Sequence, residues 1–172
     1  MGSSPSDNKP YYSGRCACGT IRYSLDIRPI RIHACHCHYC QRETGSAFAL
    51  NAIYEAQAVR LTTSTNPDYV KTPTQSGKGQ TIARCPNCRV AVWSSYGAHA
   101  GESLRIIRVG TLDDPVGWNF VPDMHIYTAD KQPWVTLDPS VPSVNGFYEF
   151  KDYWPNDKLE RLAKALKGHP SA

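Results

Sequence analysis

The residues of this chain best equipped for chemistry are its cysteines, and they come in groups. Seven occur in 172 residues. They fall as Cys16-Ala17-Cys18, Cys35-His36-Cys37-His38-Tyr39-Cys40 and Cys85-Pro86-Asn87-Cys88. An odd number cannot all pair as disulfides within one chain. Cysteines that merely fill a core behave as small apolar residues and need no such grouping. Tight spacing points instead to metal thiolates.

Thiolates bind Zn²⁺ in tetrahedral sets. A C-x-x-C turn aims two sulfurs at one ion, and Cys85 with Cys88 fits that. Cys16 and Cys18 can do the same over a sharper turn, which Gly14 and Gly19 on either side would permit. Two pairs make a closed, coordinatively saturated site, which is structural. Cys35, Cys37 and Cys40 are then left over. Three thiolates on a tetrahedral ion leave one position for water or a substrate atom, as catalysis requires. They also leave less negative charge on the ion than four do, and so preserve more Lewis acidity. Spacing alone leaves open which pairs share the closed site. It also leaves open whether His33, His36 or His38 completes the triplet. An iron–sulfur cluster would accept cysteine ligands, but neither common ferredoxin spacing is present. A redox C-x-x-C is disfavoured because Pro86-Asn87 lies in no βαβ pattern.

The elements that must hold these groups read as mainly β. Ile21, Tyr23 and Leu25 alternate with polar residues. So do Phe48 with Leu50, Val59 with Leu61, Val90 with Val92, and Leu104 with Ile106. Met124 with Ile126, and Trp134 to Leu137, predict two further strands. Thr62 to Gly79, Leu112 to Asp123 and Asp138 to Gly146 carry loop composition. One short helix is predicted near the end, capped by Asp157 and Glu160. Its apolar stripe is Leu159, Leu162, Ala163 and Leu166, and Lys158, Arg161, Lys164 and Lys167 form a solvated face. Gly168 and Pro170 would stop it. The aromatic run Phe147, Tyr148, Phe150, Tyr153 and Trp154 is expected to pack on the core, with a pocket wall as the alternative. Three regions follow: a disordered tail over 1–10, a zinc-binding β domain over 11–137, and an extension over 138–172.

Composition narrows the function classes. The net charge is +4, from 19 basic and 15 acidic residues. The cations are scattered, so no nucleic-acid patch stands out. No apolar run approaches the roughly 18 residues of a membrane span. No secretory signal opens the chain, so a cytoplasmic location with reduced thiols is expected. Residues 1–10 match a myristoylation pattern through Gly2 and Ser6, but so short a pattern arises easily by chance.

The order Gly14-Arg-Cys16-Ala-Cys18-Gly19, Cys35-His36-Cys37-x-x-Cys40-Gln41-Arg42-x-Thr44-Gly45 and Cys85-x-x-Cys88 resembles the glutathione-dependent formaldehyde-activating enzymes. Centromere protein V belongs to the same wider family. The likeness continues in Gly45-Ser46-Ala47-Phe48, Gly110-Thr111-Leu112-Asp113-Asp114 and His125-Ile126, and spans roughly 12–137. It departs where the family shows an aromatic before the last C-x-x-C and a glycine after it; Arg84 and Arg89 stand there instead. The resemblance implies a zinc β-tent of short antiparallel strands. It implies a structural zinc on Cys16, Cys18, Cys85 and Cys88, and a catalytic zinc on Cys35, Cys37 and Cys40. It implies a carbon–sulfur lyase, or the reverse thiol addition, on adducts such as S-hydroxymethylglutathione.

Under that expectation, glutathione carboxylates would meet Arg42, Arg84 or Arg89. His125 and His36 are candidate proton carriers. Asp113 and Asp114 are expected to cap loops. Two other readings stay open. One is a lyase acting on a different thioether or thiol conjugate. The other is a non-enzymatic zinc module that binds a protein, against which the three extra thiols argue.

Overall fold

The computed structural model describes residues 12–74, 76–97 and 101–167. The expected tail over 1–10 and the helix stop at Gly168 and Pro170 lie outside them. Among the described residues, ten strands form two sheets. A three-stranded sheet joins β1 (Tyr12–Arg15), β2 (Arg22–Leu25) and β5 (Val59–Leu61), in the order β1-β2-β5. The larger sheet is built from β3 (Arg31–Cys35), β4 (Ala49–Glu55), β6 (Asp68–Thr72), β7 (Gln80–Arg84), β8 (Ala91–Tyr96), β9 (Leu104–Arg108) and β10 (Met124–Ile126). Its order is β10-β3-β4-β9-β8-β7-β6. All its pairings are antiparallel except β10 with β3, which is parallel. Among the described residues there are three α-helices: α1 (His38–Thr44), α2 (Phe150–Tyr153) and α3 (Asn156–Lys167). None of them is long and apolar enough to cross a membrane.

Period two decides which residues face which core. In β4, Ala52 and Tyr54 join Tyr12, Ile21, Tyr23, Trp93 and Ile107 in a core under the small sheet. Ala49 and Ile53, on the alternate positions, join Cys35, Leu104, Met124, Tyr148, Trp154 and Leu162 in a second core. The same alternation puts His33 and Cys35 of β3 on the second face, and Ile32 on the first. Register aligns His33 with Asn51, and Asn51 with Arg108. One row of that second face therefore carries a histidine, an amide and a guanidinium beside the Cys35–Cys40 loop.

Several expectations change. Thr62 to Gly79 is not all loop: Asp68–Thr72 is β6, an exposed edge strand paired with β7. Its polar composition follows from its exposure. Trp134 to Leu137 is not a strand. Val135 N–H bonds Gln132 O at 3.0 Å and the Lys131 ammonium bonds Val135 O at 2.6 Å, so the chain turns there. Residues 31–35 and 80–84 form strands the pattern did not announce.

The C-terminal helix begins at Asn156, with Asp157 in its first turn. It buries Leu162 and Ala165, whereas Ala163 and Leu166 face solvent. Arg161 sets this rotation. Its guanidinium makes two 2.7 Å bonds to the Glu55 carboxylate of β4 and one of 2.9 Å to Arg28 O. It is thus an anchor rather than part of a solvated face.

Candidate metal and active site

The first cysteine group forms at two facing turns. Cys16 and Cys18 follow β1, and Gly19 turns the chain with φ +78°. Ile21 N–H then reaches Cys16 Sγ at 3.3 Å. Cys85 and Cys88 occupy the β7–β8 turn, where Cys88 N–H lies 3.5 Å from Cys85 Sγ. Gly14 serves a different purpose from a turn. It lies within β1, and a Cβ there would overlap the Tyr23 hydroxyl and sit 2.7 Å from Thr111 O.

Sulfur separations test whether these residues suit zinc. Bonds of ~2.3 Å in a tetrahedron give S···S edges of about 3.8 Å. Cys16–Cys18 measures 3.6 Å and Cys18–Cys85 3.7 Å, and all four sulfurs lie within 4.8 Å of one another. The set fits. Thr20 contacts pull the exposed Cys18 thiol down to about 5, while burial pushes Cys16 up to about 11.

The second group sits where β3 runs into α1. Cys35 ends the strand, Cys37 is the N-cap of α1, and Cys40 lies in its first turn. All three are buried, with sulfurs within 4.8 Å of one another and Cys35–Cys37 at 3.6 Å. This spacing fits three corners of the same tetrahedron. Among the described residues no histidine or carboxylate atom joins the set. Gln41 staples the loop from behind: its amide donates to His36 O at 2.6 Å and Asp130 O at 2.8 Å. It also accepts from Gln132 at 2.7 Å.

Charge is shared unevenly among the three thiols. Hydrogen bonds from Cys35 and Cys40, helped by the Cys40 and Tyr39 backbone N–H groups, hold Cys37 down at about 2. The same bond to Cys37, then Cys40 and burial, push Cys35 well above the ordinary thiol range. Cys40 is lowered by Cys35 but raised more by Cys37 and burial, and ends at about 11. The nearby Arg108 guanidinium works against that rise. Arg108 is 7% exposed, donates to Asn51 Oδ1, and leaves its own Nε without a partner. It is a buried cation facing a cluster of thiols.

The other predicted residues are placed as follows. His36 is fully buried, its Nε2 3.0 Å from His125 Nδ1 and its ring 5.2 Å from that of Phe48. Burial, then the charges of His125 and Lys131, lowers His36 to about 4; burial also lowers His125. Both are held neutral, and neither lines the cavity described below. Arg42 is exposed on α1. One guanidinium nitrogen of Arg84 donates to both Glu43 carboxylate oxygens, at 2.6 and 2.7 Å. Arg89 pairs with Asp68 at 2.5 Å and takes φ +62°, in the place where the resembling family has glycine. Arg84 and Arg89 border an open groove of ≈ 520 Å³ together with Cys88 and Arg108. Asp113 accepts from Ser13 Oγ at 2.6 Å, and Asp114 from Gly117 N–H at 2.8 Å.

A separate cavity of ≈ 100 Å³ opens beside Cys35 and Cys37. Tyr39, Tyr96, Tyr127, Phe147, Phe150 and Trp154 give it an aromatic wall. His33 and Asn51 are also in its lining. The aromatic run before α3 thus both packs on the core and walls this cavity. Tyr148 holds it in place, with its hydroxyl 2.7 Å from His33 Nε2 and accepting from Trp154 Nε1 at 2.6 Å. Asn51, Arg108 and Tyr127 were not singled out by sequence as site residues. The available signals were an amide and a guanidinium at inward positions of apolar strands, and a tyrosine directly after His125-Ile126. Tyr127 adopts φ +56°, an uncommon conformation for a bulky side chain and one that clusters at functional sites.

A family model described as glutathione-dependent formaldehyde-activating enzyme matches residues 11–130. The chain belongs to this family. The match takes in every cysteine of both metal-fitting sets, and it ends before the aromatic segment that walls the cavity. Members of the glutathione-dependent formaldehyde-activating family are thus the proteins whose chemistry bears on this site. Among solved structures, a Rhodobacter sphaeroides protein from a structural genomics programme matches at 15% identity and TM-score 0.44. The alignment covers 59% of this chain and 87% of that one. No curated protein matches.

Proposed function

We propose that this protein is a zinc enzyme that forms or cleaves the carbon–sulfur bond of thiol–carbonyl adducts, the chemistry for which its family is named. One observation carries the reading: three buried thiols converge at the edge of a cavity, and no fourth ligand atom from the described residues joins them. A zinc ion held by Cys35, Cys37 and Cys40 would supply Lewis acidity that stabilises an incoming sulfur as thiolate. In the forward direction the thiol S–H breaks, a C–S bond forms to the carbonyl carbon, and the proton ends on the carbonyl oxygen. Cleavage is the reverse.

The chain's own groups have distinct tasks. Gln41 fixes the loop so that the three sulfurs stay convergent. Arg108 compensates the negative charge of the thiolates and orients Asn51 in the cavity wall. Tyr127 is the proton carrier best placed on that wall. Burial, then the neighbouring thiols, raises its pKa, so the phenol stays protonated and able to donate to a carbonyl or alcohol oxygen. The His36–His125 pair lies outside the cavity lining and would act only by relay. If glutathione is the thiol, Arg42 is the arginine left to meet its carboxylates outside the cavity, since Arg84 and Arg89 are already paired.

The test follows adduct exchange directly by NMR, using ¹³C-formaldehyde with glutathione and with butane-1-thiol. The expected result is exchange accelerated for at least one thiol by the metal-loaded protein, and lost in Cys37→Ala. No acceleration with either thiol, with both metal sites loaded, contradicts the reading.

A further inference from the structure

The cavity beside Cys35 and Cys37 has no Arg, Lys, Asp or Glu among the described residues that line it. Glutathione carries two carboxylates and an ammonium. Moving an ionised group from water into such a wall is strongly unfavourable unless a partner of opposite charge meets it. The arginines that could serve are elsewhere. Arg84 and Arg89 lie on the other groove and are already paired, and Arg42 is exposed on α1. Arg108 stands behind Asn51, outside the cavity lining, where its charge is set against the thiols it faces. Size points the same way. The ≈ 100 Å³ available is less than the roughly 150 Å³ that admits a benzene ring in an apolar cavity, and far below a pocket for a tripeptide.

We infer that the sulfur compound handled at Cys35, Cys37 and Cys40 is a small uncharged thiol, or its carbonyl adduct, whose short alkyl group fills the cavity between Ile53, Leu104, Ile106, Phe147 and Trp154. This rests on the proposed carbon–sulfur chemistry and names its substrate class. The aromatic segment at 147–154 supplies much of the apolar wall, and it lies beyond the part of the chain that matches the family model. The core of the site is therefore shared, while its selectivity comes from residues outside the match. Asn51, whose Oδ1 accepts from Arg108, has its amide N–H groups in the lining to orient an uncharged polar atom such as an alcohol oxygen.

The experiment compares two thiols that differ in charge at nearly constant size, with glutathione as a larger charged thiol. Cobalt-substituted full-length protein is titrated with butane-1-thiol, with 3-mercaptopropionate and with glutathione, and sulfur ligation is read from the visible absorption of the cobalt. The inference predicts that butane-1-thiol binds at least about tenfold more tightly than either charged thiol. It also predicts that Ile106→Lys, which places a cation in the wall, reverses the order between butane-1-thiol and 3-mercaptopropionate. Equal or tighter binding of 3-mercaptopropionate or glutathione by the wild type overturns the substrate class and leaves the open thiolate site intact. A cobalt spectrum unmoved by every thiol overturns both. The wild-type comparison decides the matter even if the variant fails to fold.

Discussion

Arg108 illustrates how single residues set the chemistry of this site. A guanidinium that is 7% exposed and bonded to an amide rather than a carboxylate would ordinarily be costly. Here its charge is answered by the thiols it faces, and it already opposes the upward push on Cys40. Replacing it with an apolar side chain of similar length removes that compensation. Arg108→Met is expected to weaken metal affinity at Cys35, Cys37 and Cys40 by roughly tenfold. The set at Cys16, Cys18, Cys85 and Cys88 should be unaffected. Competition with a chelator, followed as two release steps, separates the two sites. Identical affinities in variant and wild type would show that Arg108 serves packing alone. At the same scale, spacing suggested a division of the seven cysteines into four and three, because ligand number follows from tetrahedral geometry, while which cysteines make each set came from the family resemblance. Asn51 and Tyr127 could not be found that way. Their roles depend on which strand lies beside which, and a one-residue change of register would turn each to the other face.

At the scale of elements, the strands were readable where alternation was strong and one face was buried. Leu104–Arg108 and Arg22–Leu25 are examples. β6 escaped because both of its faces are largely exposed, so nothing selects an apolar period. β3 escaped because the residues it buries include histidine and cysteine, which do not read as an apolar alternation. α3 was legible as a helix but not in its rotation. The Arg161–Glu55 pair sets that, and it joins positions 106 residues apart. The Glu55 side chain is only 8% exposed, so losing its partner leaves a buried carboxylate. Arg161→Ala is expected to destabilise the fold by about 3 kcal/mol, measured by denaturant titration. A change within a few tenths of a kcal/mol would mean that Leu162 and Ala165 alone dock the helix. Because Trp154 ends the turn just before α3, the same variant should also loosen the cavity wall.

At the scale of the whole molecule, two sheets and a C-terminal cover bring two thiolate sets into one small protein, and both sets couple to protons. Cys16 and Cys40 at about 11, and Cys35 above the ordinary thiol range, are protonated near neutral pH; Cys37 at about 2 and Cys18 at about 5 are ionised. Metal uptake must therefore displace protons from the first three. Affinity should rise with pH through the neutral range, and fall further on acidification as Cys18 protonates near pH 5. Proton release on zinc addition to the metal-free protein, measured in weakly buffered solution, checks this. Uptake with no proton release would contradict the thiol ionisation pattern. The central claim is the division into four and three ligands, and metal stoichiometry by native mass spectrometry tests it most directly. Two zinc ions per chain are predicted for the wild type, and one for Cys37→Ala with the fold retained. A single zinc in the zinc-replete wild type would contradict the account.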